Sequence, residues 1–278
     1  MIDLVNIALI QMVSSRTVRD NLQRAECLIQ EAAKADVQAI FLPENFLALA
    51  SLNPLQIGLD EINPDGPGRR FLSEMAVRTN CWIFGGTLPV ACRPDGSPVP
   101  EGRVRAASIV VDPSGREVAR YDKIHMFDVV VDDAQKNYVE SKTFEPGQSL
   151  ERVNTPFGVF GLSVCYDIRF PELYRQLQSF EVRCIAIPSA FTAVTGAAHF
   201  EILMRARAIE NACFTIAACQ GGVHDSGRVT YGNSMVVNPW GEVISRADLG
   251  EQVVFAQLDY QQQDILRRDM PVHAQRRL

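Results

Sequence analysis

The chain has no long apolar run, no surplus of positive charge and no basic residue within the N-terminal stretch MIDLVNIALIQM. No run approaches the roughly 20 apolar residues that a membrane-spanning helix needs. A formal net charge of −6 offers no electrostatic attraction for nucleic acid or for an anionic membrane. The N-terminal stretch MIDLVNIALIQM carries an acid where a signal peptide has a basic region. We therefore expect a cytoplasmic protein with neither a nucleic-acid nor a membrane partner.

Cysteine and histidine form no recognisable metal or disulfide pattern. The seven cysteines are odd in number and include no CxxC pair, which favours reduced thiols in a chain without an export signal. The four histidines match no zinc spacing. We therefore predict free thiols, no metal and no cofactor.

The chain does contain an internal repeat. The segment Ser108–Pro113, which reads SIVVDP, recurs as SMVVNP over Ser234–Pro239, and a glycine follows two residues later in both. Each half runs strand, helix, strand, loop, helix, strand and hairpin. Two such halves, each with its helices on one face, bury their other faces best against each other. The repeat predicts an α/β fold, a four-layer αββα sandwich of two pseudo-symmetric halves in a single domain over residues 1–278. The alternative is a chance likeness between two hairpin turns.

Two segments show little regular pattern. Ser51–Gly68 is rich in Pro, Gly and Asn, which predicts a loop. Lys123–Gly147 is too long and irregular for a simple connection in a compact domain. Because irregular segments of that length are usually functional, we expect it to contribute to a site.

The most informative stretch is Gly158–Glu172, which reads GVFGLSVCYDIRFPE. An apolar strand ends at Cys165, polar residues follow at once, and Pro171 starts a helix. Such a strand-turn-helix presents a nucleophile at the carboxyl end of a strand in α/β folds. The alternative is that Cys165 is a small buried hydrophobe, as most free cysteines are.

Three predicted strands end in polar residues that are expected to meet at one rim of the sandwich: Leu42-Pro43-Glu44, Tyr121-Asp122-Lys123 and Ser163-Val164-Cys165. A carboxylate in an apolar surround can take the proton of a thiol, and an ammonium can stabilise a developing oxyanion. Glu44, Lys123 and Cys165 together can therefore catalyse acyl transfer without histidine. Taken singly, Glu44 is also consistent with a turn cap, Lys123 with a solvated lysine and Cys165 with a core residue.

Several longer stretches extend this pattern: FLPEN around Glu44, YDKIHMFD around Lys123, VESKTFEPG around Glu140, LSVCYDIRFPEL around Cys165, PSAFTAVTGAAHFEILMRARAIEN, and YGNSMVVNPWGEV. In this order they resemble the nitrilase, or carbon-nitrogen hydrolase, superfamily. The resemblance covers nearly the whole chain, to the tail PVHAQRRL. It implies an αββα sandwich with a Glu-Lys-Cys triad.

The resemblance also implies residue roles. Cys165 would be the nucleophile and Glu44 the general base. Lys123 and the backbone N–H of Tyr166 would stabilise the tetrahedral intermediate. Glu140 matches the second glutamate of the superfamily, which orients the lysine and the substrate amide.

Within the superfamily, the CYD motif resembles the amidase branches, and RFPEL, PSAFTAVTGAAHFE and the stretch AACQGG with His224 and Arg228 resemble the branch of deaminated glutathione amidases. That branch implies hydrolysis of an α-keto acid amide, deaminated glutathione, to α-ketoglutarate and cysteinylglycine. The alternative is ω-amidase activity on α-ketoglutaramate or another small aliphatic amide. A second class is a non-enzymatic interaction protein. A third is a thiol redox protein, which needs a resolving cysteine such as Cys184 or Cys219 near Cys165.

An anionic substrate needs cationic or dipolar anchors. The candidates for substrate contacts are Tyr166, Arg169, Phe191, Thr192 and Thr195. Further cations are Lys142, Arg205 and Arg207, of which the two helix arginines are more typical of surface ion pairs. The helix over 203–212 resembles elements that pair two subunits in the superfamily, which implies a homodimer.

Overall fold

Side chains of the first strand face two different layers in alternation. In β1 (Leu4–Gln11), Ile7 and Leu9 join one apolar core, whereas Ala8 and Ile10 join another. This period of two is the pattern of a strand that is covered on both faces. The first strand therefore lies inside a layered structure.

The computed structural model describes residues 3–277. Met1, Ile2 and Leu278, which end the domain predicted over 1–278, lie outside the described residues. After β1 the strands are β2 (Ala39–Phe41), β3 (Trp82–Phe84), β4 (Leu88–Val90), β5 (Arg105–Val111), β6 (Glu117–Asp122), β7 (Asp128–Val130), β8 (Asn137–Val139), β9 (Arg152–Thr155), β10 (Gly158–Leu162), β11 (Cys184–Ala186), β12 (Phe214–Ala217), β13 (Gly221–Val223), β14 (Val229–Tyr231), β15 (Met235–Val237), β16 (Val243–Arg246) and β17 (Gln252–Asp259).

The helices are α1 (Val18–Ala32), α2 (Pro54–Asp60), α3 (Pro67–Thr79), α4 (Pro171–Leu177), α5 (Ala193–Thr195), α6 (Glu201–Asn211) and α7 (Tyr260–Asp269). Single 3-10 turns cover Glu140–Lys142, Cys165–Arg169 and Gln178–Phe180, and a π turn covers Gly196–Phe200. Within residues 3–277, none of these helices is long and apolar enough to cross a membrane.

Two sheets repeat one topology. In the first sheet the strand order is β17-β1-β2-β3-β5-β4, with β6 paired to β5, and β1, β2 and β3 run parallel. In the second the order is β16-β15-β12-β11-β10-β9, and β10, β11 and β12 run parallel. Each parallel set leads to a hairpin whose register shifts at the same place in the repeat, Val110/Val111 and Val236/Val237. The predicted pair of similar halves is confirmed.

The two sheets pack face to face through aromatic rings. Phe84 of the first sheet lies 5.0 Å from Phe160 of the second between ring centroids, and Phe41 stacks on Phe84 at 4.3 Å. Helices cover the outer faces: Ile29 of α1 packs with the first sheet, and Met204 of α6 packs with the second. The layers are therefore helix, sheet, sheet, helix, and the predicted αββα sandwich is confirmed.

Three segments differ from their predicted structure. The loop predicted over Ser51–Gly68 is wrong, because it contains α2 and the start of α3. Proline at the first position of each helix lacks only an N–H that the helix would not use, and the Asn53 side chain caps α2 by accepting the Gln56 N–H at 3.2 Å. Lys123–Gly147 is less irregular than predicted, because β7 and β8 form a hairpin within it. The helix α7 had no counterpart in the sequence analysis.

Candidate active site

Glu44 follows β2 in a tight turn at the rim of the first sheet. A Cβ atom on Gly86, whose φ is +56°, would lie 2.0 Å from the Pro43 carbonyl oxygen, so only glycine allows the two backbones to approach this closely. On the other side, the Gln220 side-chain amide donates to the Glu44 carbonyl at 3.0 Å. The Glu44 backbone thus lies between a connecting segment of each half, and its side chain is 5% exposed.

Lys123 follows β6, and its side chain is 1% exposed. Its backbone N–H donates to the Ala106 carbonyl at 3.0 Å, which prolongs the pairing of β6 with β5. The ammonium Nζ lies 2.8 Å from Glu44 Oε1 and 2.8 Å from each carboxylate oxygen of Glu140. Burial alone would lower the pKa of Lys123, but the charges of Glu140 and Glu44 outweigh it and hold that pKa well above its usual value. The side chain therefore stays an ammonium.

Glu140 comes from the segment that was expected to be functional. It begins the 3-10 turn after β8, and the Phe127 N–H donates to its Oε2 at 2.6 Å. Burial raises the pKa of Glu140; the Lys123 ammonium opposes this rise, and the Glu44 charge adds to it. The Lys123 ammonium is thus hydrogen-bonded to Glu140 as well as to Glu44.

Cys165 lies on a strained turn at the end of β10. Its φ is +46°, a left-handed conformation that a non-glycine residue adopts at a cost of about 1–3 kcal/mol. The turn is held by two bonds of the backbone: the Cys165 N–H donates to the Pro188 carbonyl at 3.0 Å, and the Val164 N–H donates to Asp167 Oδ2 at 2.8 Å. The Cys165 side chain on this turn is buried.

The Cys165 thiol lies against the Glu44 carboxylate. Burial and the Glu44 charge hold the pKa of Cys165 well above that of an ordinary thiol, while Lys123 lowers it, and a hydrogen bond joins the thiol to the Glu44 carboxylate. The sulfur is therefore a protonated thiol at rest, with the Glu44 carboxylate in contact. Such a group gains nucleophilicity when the carboxylate takes its proton during attack.

The four predicted catalytic residues meet in one cavity of about 220 Å³. Glu44, Lys123, Glu140 and Cys165 all line it. The predicted substrate contacts divide into two groups. Tyr166, Phe191 and Thr195 line the same cavity, whereas Arg169 and Thr192 lie outside its lining.

Arg169 and Thr192 contact residues of the lining instead. The Arg169 guanidinium lies 5.7 Å from the ring centroid of Tyr166 and 5.5 Å from that of Phe191. Thr192 is buried, and its hydroxyl oxygen accepts the Thr195 N–H at 3.2 Å as the cap of α5. Both residues thus support the wall from behind.

The other cations considered in the sequence lie elsewhere. Arg205 pairs with Glu201 at 3.0 Å on the surface, and Lys142 is exposed. The surface ion pair expected of Arg207 is wrong, because Arg207 is buried, where it pairs with Glu210 at 2.7 Å and donates from Nε to the Ile168 carbonyl at 2.8 Å. None of the three lines the cavity.

Sequence reasoning missed several residues of the site. Asn45, Phe127, Tyr138 and Arg228 line the cavity, and Asp167 is buried behind the nucleophile. Only Asp167 had a local signal, since an acid two residues after the cysteine of a turn can accept the N–H groups that the turn leaves free. The other four meet through tertiary contacts between distant segments.

The seven cysteines are free thiols, as predicted. Cys184 lies 3.3 Å from the Tyr260 hydroxyl, and burial raises the pKa of its thiol to about 12. Cys219 contacts the Ala217 carbonyl at 3.7 Å, and burial raises its pKa as well. Thiols of this kind are poor nucleophiles for disulfide exchange.

A model of the carbon-nitrogen hydrolase family matches residues 6–267. The chain belongs to the carbon-nitrogen hydrolase family. The resemblance inferred from the sequence motifs is thus confirmed, and the protein is a hydrolase of carbon–nitrogen bonds. The cluster of thiol, carboxylates and ammonium is therefore the candidate site for cleavage of a carbon–nitrogen bond.

Individual relatives are similar over almost their whole length. The chain is 39% identical to the deaminated glutathione amidase of Yersinia enterocolitica over 269 residues, which are 96% of this chain and 91% of the relative. It is 34% identical to the omega-amidase NIT2 of Danio rerio over 271 residues, 98% of this chain and 94% of the relative. The crystal structure of Saccharomyces cerevisiae Nit3, a member of branch 10 of the nitrilase superfamily, aligns with a TM-score of 0.86 at 30% identity and covers 99% of this chain and 97% of that one.

Proposed function

We propose that this hydrolase is an amidase that cleaves deaminated glutathione to α-ketoglutarate and cysteinylglycine through a thioester on Cys165. The observation that carries the proposal is the meeting of Glu44, Lys123, Glu140 and Cys165 in one cavity. The choice of substrate is supported by the 39% identity to the Yersinia enterocolitica deaminated glutathione amidase.

In the first half of the proposed reaction, the Cys165 sulfur attacks the amide carbonyl carbon while Glu44 takes the thiol proton. The Lys123 ammonium and the Tyr166 N–H stabilise the oxyanion, as donors placed where charge develops do. Glu44 then gives its proton to the leaving nitrogen, the C–N bond breaks, and cysteinylglycine departs. The acyl group remains as a thioester.

In the second half, Glu44 takes a proton from water, whose oxygen attacks the thioester carbonyl. The C–S bond breaks, the proton returns from Glu44 to sulfur, and α-ketoglutarate leaves. Each base step of this kind contributes roughly 10²–10⁴ in rate. Glu140 keeps the Lys123 ammonium directed at the oxyanion, and no step needs a metal or a cofactor.

Paired kinetic assays test the choice of substrate. We expect purified protein to hydrolyse deaminated glutathione with a higher kcat/KM than α-ketoglutaramate, and Cys165→Ala to abolish both activities. A higher kcat/KM for α-ketoglutaramate contradicts the proposed substrate. Full activity of Cys165→Ala contradicts the mechanism itself.

The second candidate is ω-amidase activity on α-ketoglutaramate, which the 34% identity to the Danio rerio omega-amidase NIT2 favours. Both reactions transfer the same α-keto acyl group to Cys165 and differ only in the leaving amine. A non-enzymatic interaction protein, by contrast, predicts that amide and ester acylating reagents leave Cys165 unlabelled.

We further propose a single-domain, cytoplasmic homodimer with neither a nucleic-acid nor a membrane partner. Support for pairing comes from α6, where Ile202 is 69% exposed and Ile209 is 47% exposed. Sedimentation velocity is expected to give twice the chain mass of 30.9 kDa, and Ile202→Asp to lower it. A wild-type monomer contradicts the pairing.

A further inference from the structure

Arg228 brings a second positive charge to the cavity. It is the last residue before β14, and of the described side chains that line the cavity, only Lys123 and Arg228 are cationic. Lys123 lies between two carboxylates, Glu44 and Glu140. Arg228 makes no salt bridge with any carboxylate in residues 3–277, although its side chain is partly buried. The positive charge of Arg228 is therefore available to an anionic ligand.

The contacts of Arg228 leave part of its guanidinium group without a hydrogen-bond partner in the described chain. Its Nη2 donates to the Ala190 carbonyl at 2.9 Å, and its guanidinium carbon lies 5.5 Å from the ring centroid of Tyr138. Its Nε is buried and has no hydrogen-bond partner within the described chain. Its Nη1 likewise makes no hydrogen bond within residues 3–277, so the N–H groups of Nη1 remain available to an acceptor in the cavity.

The guanidinium also lies near the nucleophile. Ala190 donates its backbone N–H to the Cys165 sulfur and accepts from Arg228 through its carbonyl. The nitrogen and the carbonyl oxygen of Ala190 are close together because they belong to one residue. The Arg228 guanidinium therefore lies within about 10 Å of the Cys165 sulfur. A carboxylate four to six bonds from the scissile carbonyl has that reach.

The hairpin that carries Arg228 is fixed in place. The His224 imidazole contacts the Ser14 carbonyl at 2.8 Å and the Thr230 hydroxyl at 2.8 Å, and the His224 N–H donates to the Arg228 carbonyl at 2.9 Å. The Tyr231 N–H donates to the Phe191 carbonyl at 3.0 Å. The cation is thus positioned before any ligand arrives, which lowers the entropic cost of binding.

We propose that Arg228 binds a carboxylate of the amide substrate and so selects anionic amides. This inference rests on the proposed function for the identity of the substrate. A planar guanidinium can hold a carboxylate with two parallel hydrogen bonds. Deaminated glutathione has two such groups, one on the α-keto acyl part and one on the glycine of the leaving dipeptide.

Kinetics of Arg228→Gln with four substrates show which of the two carboxylates Arg228 binds. If the acyl carboxylate binds, KM rises roughly 10- to 100-fold for deaminated glutathione, for its C-terminal amide and for α-ketoglutaramate. If the glycine carboxylate binds, KM rises by that factor for deaminated glutathione alone. In both cases kcat and the KM of uncharged glutaramide stay within about threefold, and Arg228→Lys recovers part of the loss. An equal loss on glutaramide, or an unchanged KM on every substrate, overturns the proposal.

Two further measurements keep this result separate from the proposed function. Isothermal titration of glutarate into wild type and Arg228→Gln reads carboxylate binding without turnover, and we expect affinity to fall roughly 10-fold or more. If the wild type binds glutarate through Arg228 but hydrolyses neither keto acid amide, the result contradicts the proposed function and leaves the role of Arg228 intact. Equal glutarate affinity in the two proteins sinks the role of Arg228. Arg70→Gln, a surface arginine paired with Glu74, is the matched control.

Discussion

Tyr121 donates its hydroxyl to Asp167 Oδ2 at 2.7 Å, and the two residues come from different halves of the sandwich. Tyr121 precedes Lys123 by two residues, and Asp167 follows Cys165 by two. Both partners are buried, so this bond fixes the end of the lysine strand against the turn of the nucleophile. The spacing of ammonium and thiol is therefore set from behind the cavity.

Asp167 accepts more than this one bond. It also accepts the N–H of Val164 at 2.8 Å and that of His125 at 2.9 Å, and it lies 2.7 Å from His125 Nδ1. Asp167→Asn replaces one carboxylate oxygen by an amide NH2 group, which then faces hydrogen-bond donors that the carboxylate had accepted. We expect it to lower the free energy of unfolding by about 1–3 kcal/mol and, by displacing Cys165, to lower kcat on the order of 10²-fold. Urea denaturation and steady-state kinetics measure the two effects.

Tyr121→Phe is the matched control, since it removes one hydroxyl and leaves the other three contacts of Asp167 in place. We expect it to cost about 1 kcal/mol and to reduce kcat far less than Asp167→Asn. Wild-type kcat in Asp167→Asn contradicts the positioning role.

Glu44→Gln separates base catalysis from thiol ionisation. Loss of the base is expected to lower kcat by about 10²–10⁴. The same change removes a negative charge beside the thiol, and that charge raises the pKa of Cys165. The pKa of the thiol should therefore fall, so iodoacetamide should alkylate Cys165 faster at pH 9 in the inactive variant than in wild type. Peptide mapping by mass spectrometry distinguishes Cys165 from the exposed Cys27. A variant whose thiol reacts more slowly contradicts the electrostatic account.

The meeting of Glu44, Lys123 and Cys165 was predictable because each residue follows a strand. Glu44 and Cys165 follow apolar strands that run parallel to their neighbours, whereas Lys123 follows β6, which mixes apolar and charged residues and runs antiparallel to β5. The internal repeat predicted that the two sheets pack against each other, since two half-sandwiches can bury their open faces only in that way. The order of the four layers followed from local pattern plus that one constraint.

What the sequence did not reveal depends on contacts between distant segments. Gly58 reads as a helix breaker, yet it lies in α2, where a Cβ would meet Val104 Cγ1 at 2.5 Å. Tertiary packing there overrides helix propensity. Arg228 meets Tyr138 from a separate hairpin, and nothing near either residue in the chain signals that meeting.

Lys123→Met leaves two carboxylates in the cavity without their cation. We expect a loss of about 3–5 kcal/mol of unfolding free energy at pH 7, because an uncompensated buried charge is costly. Without the ammonium the pKa of Glu140, already raised by burial, rises further. A carboxyl whose folded-state pKa is raised contributes stability that is present below its unfolded value and lost as the pH rises through the folded-state pKa.

The deficit of Lys123→Met should therefore shrink between pH 7 and pH 5. Urea denaturation at both pH values measures it, with Lys34→Met, an exposed lysine of the first half, as the control. A deficit that grows on acidification contradicts the assignment of two buried carboxylates around Lys123.

The contact between the two sheets gives a last prediction. Phe160 of β10 is fully buried, and its ring centroid lies 5.0 Å from that of Phe84, 6.1 Å from that of Phe41 and 5.6 Å from that of Phe157. Phe160→Ala should cost about 3–5 kcal/mol of unfolding free energy, since it removes buried ring contacts and leaves a cavity between the layers.

Catalysis should fall with stability in this variant, for a geometric reason. Phe41 ends β2 three residues before Glu44, and Phe160 lies five residues before Cys165, so the rings sit below the base and the nucleophile. Loosening them should lower kcat at a temperature where the variant remains folded by circular dichroism. Phe255→Ala, whose ring is 46% exposed, should change stability by only about 1 kcal/mol and leave kcat unchanged. A folded Phe160→Ala with wild-type kcat would show that the two sheet ends hold their spacing without this contact.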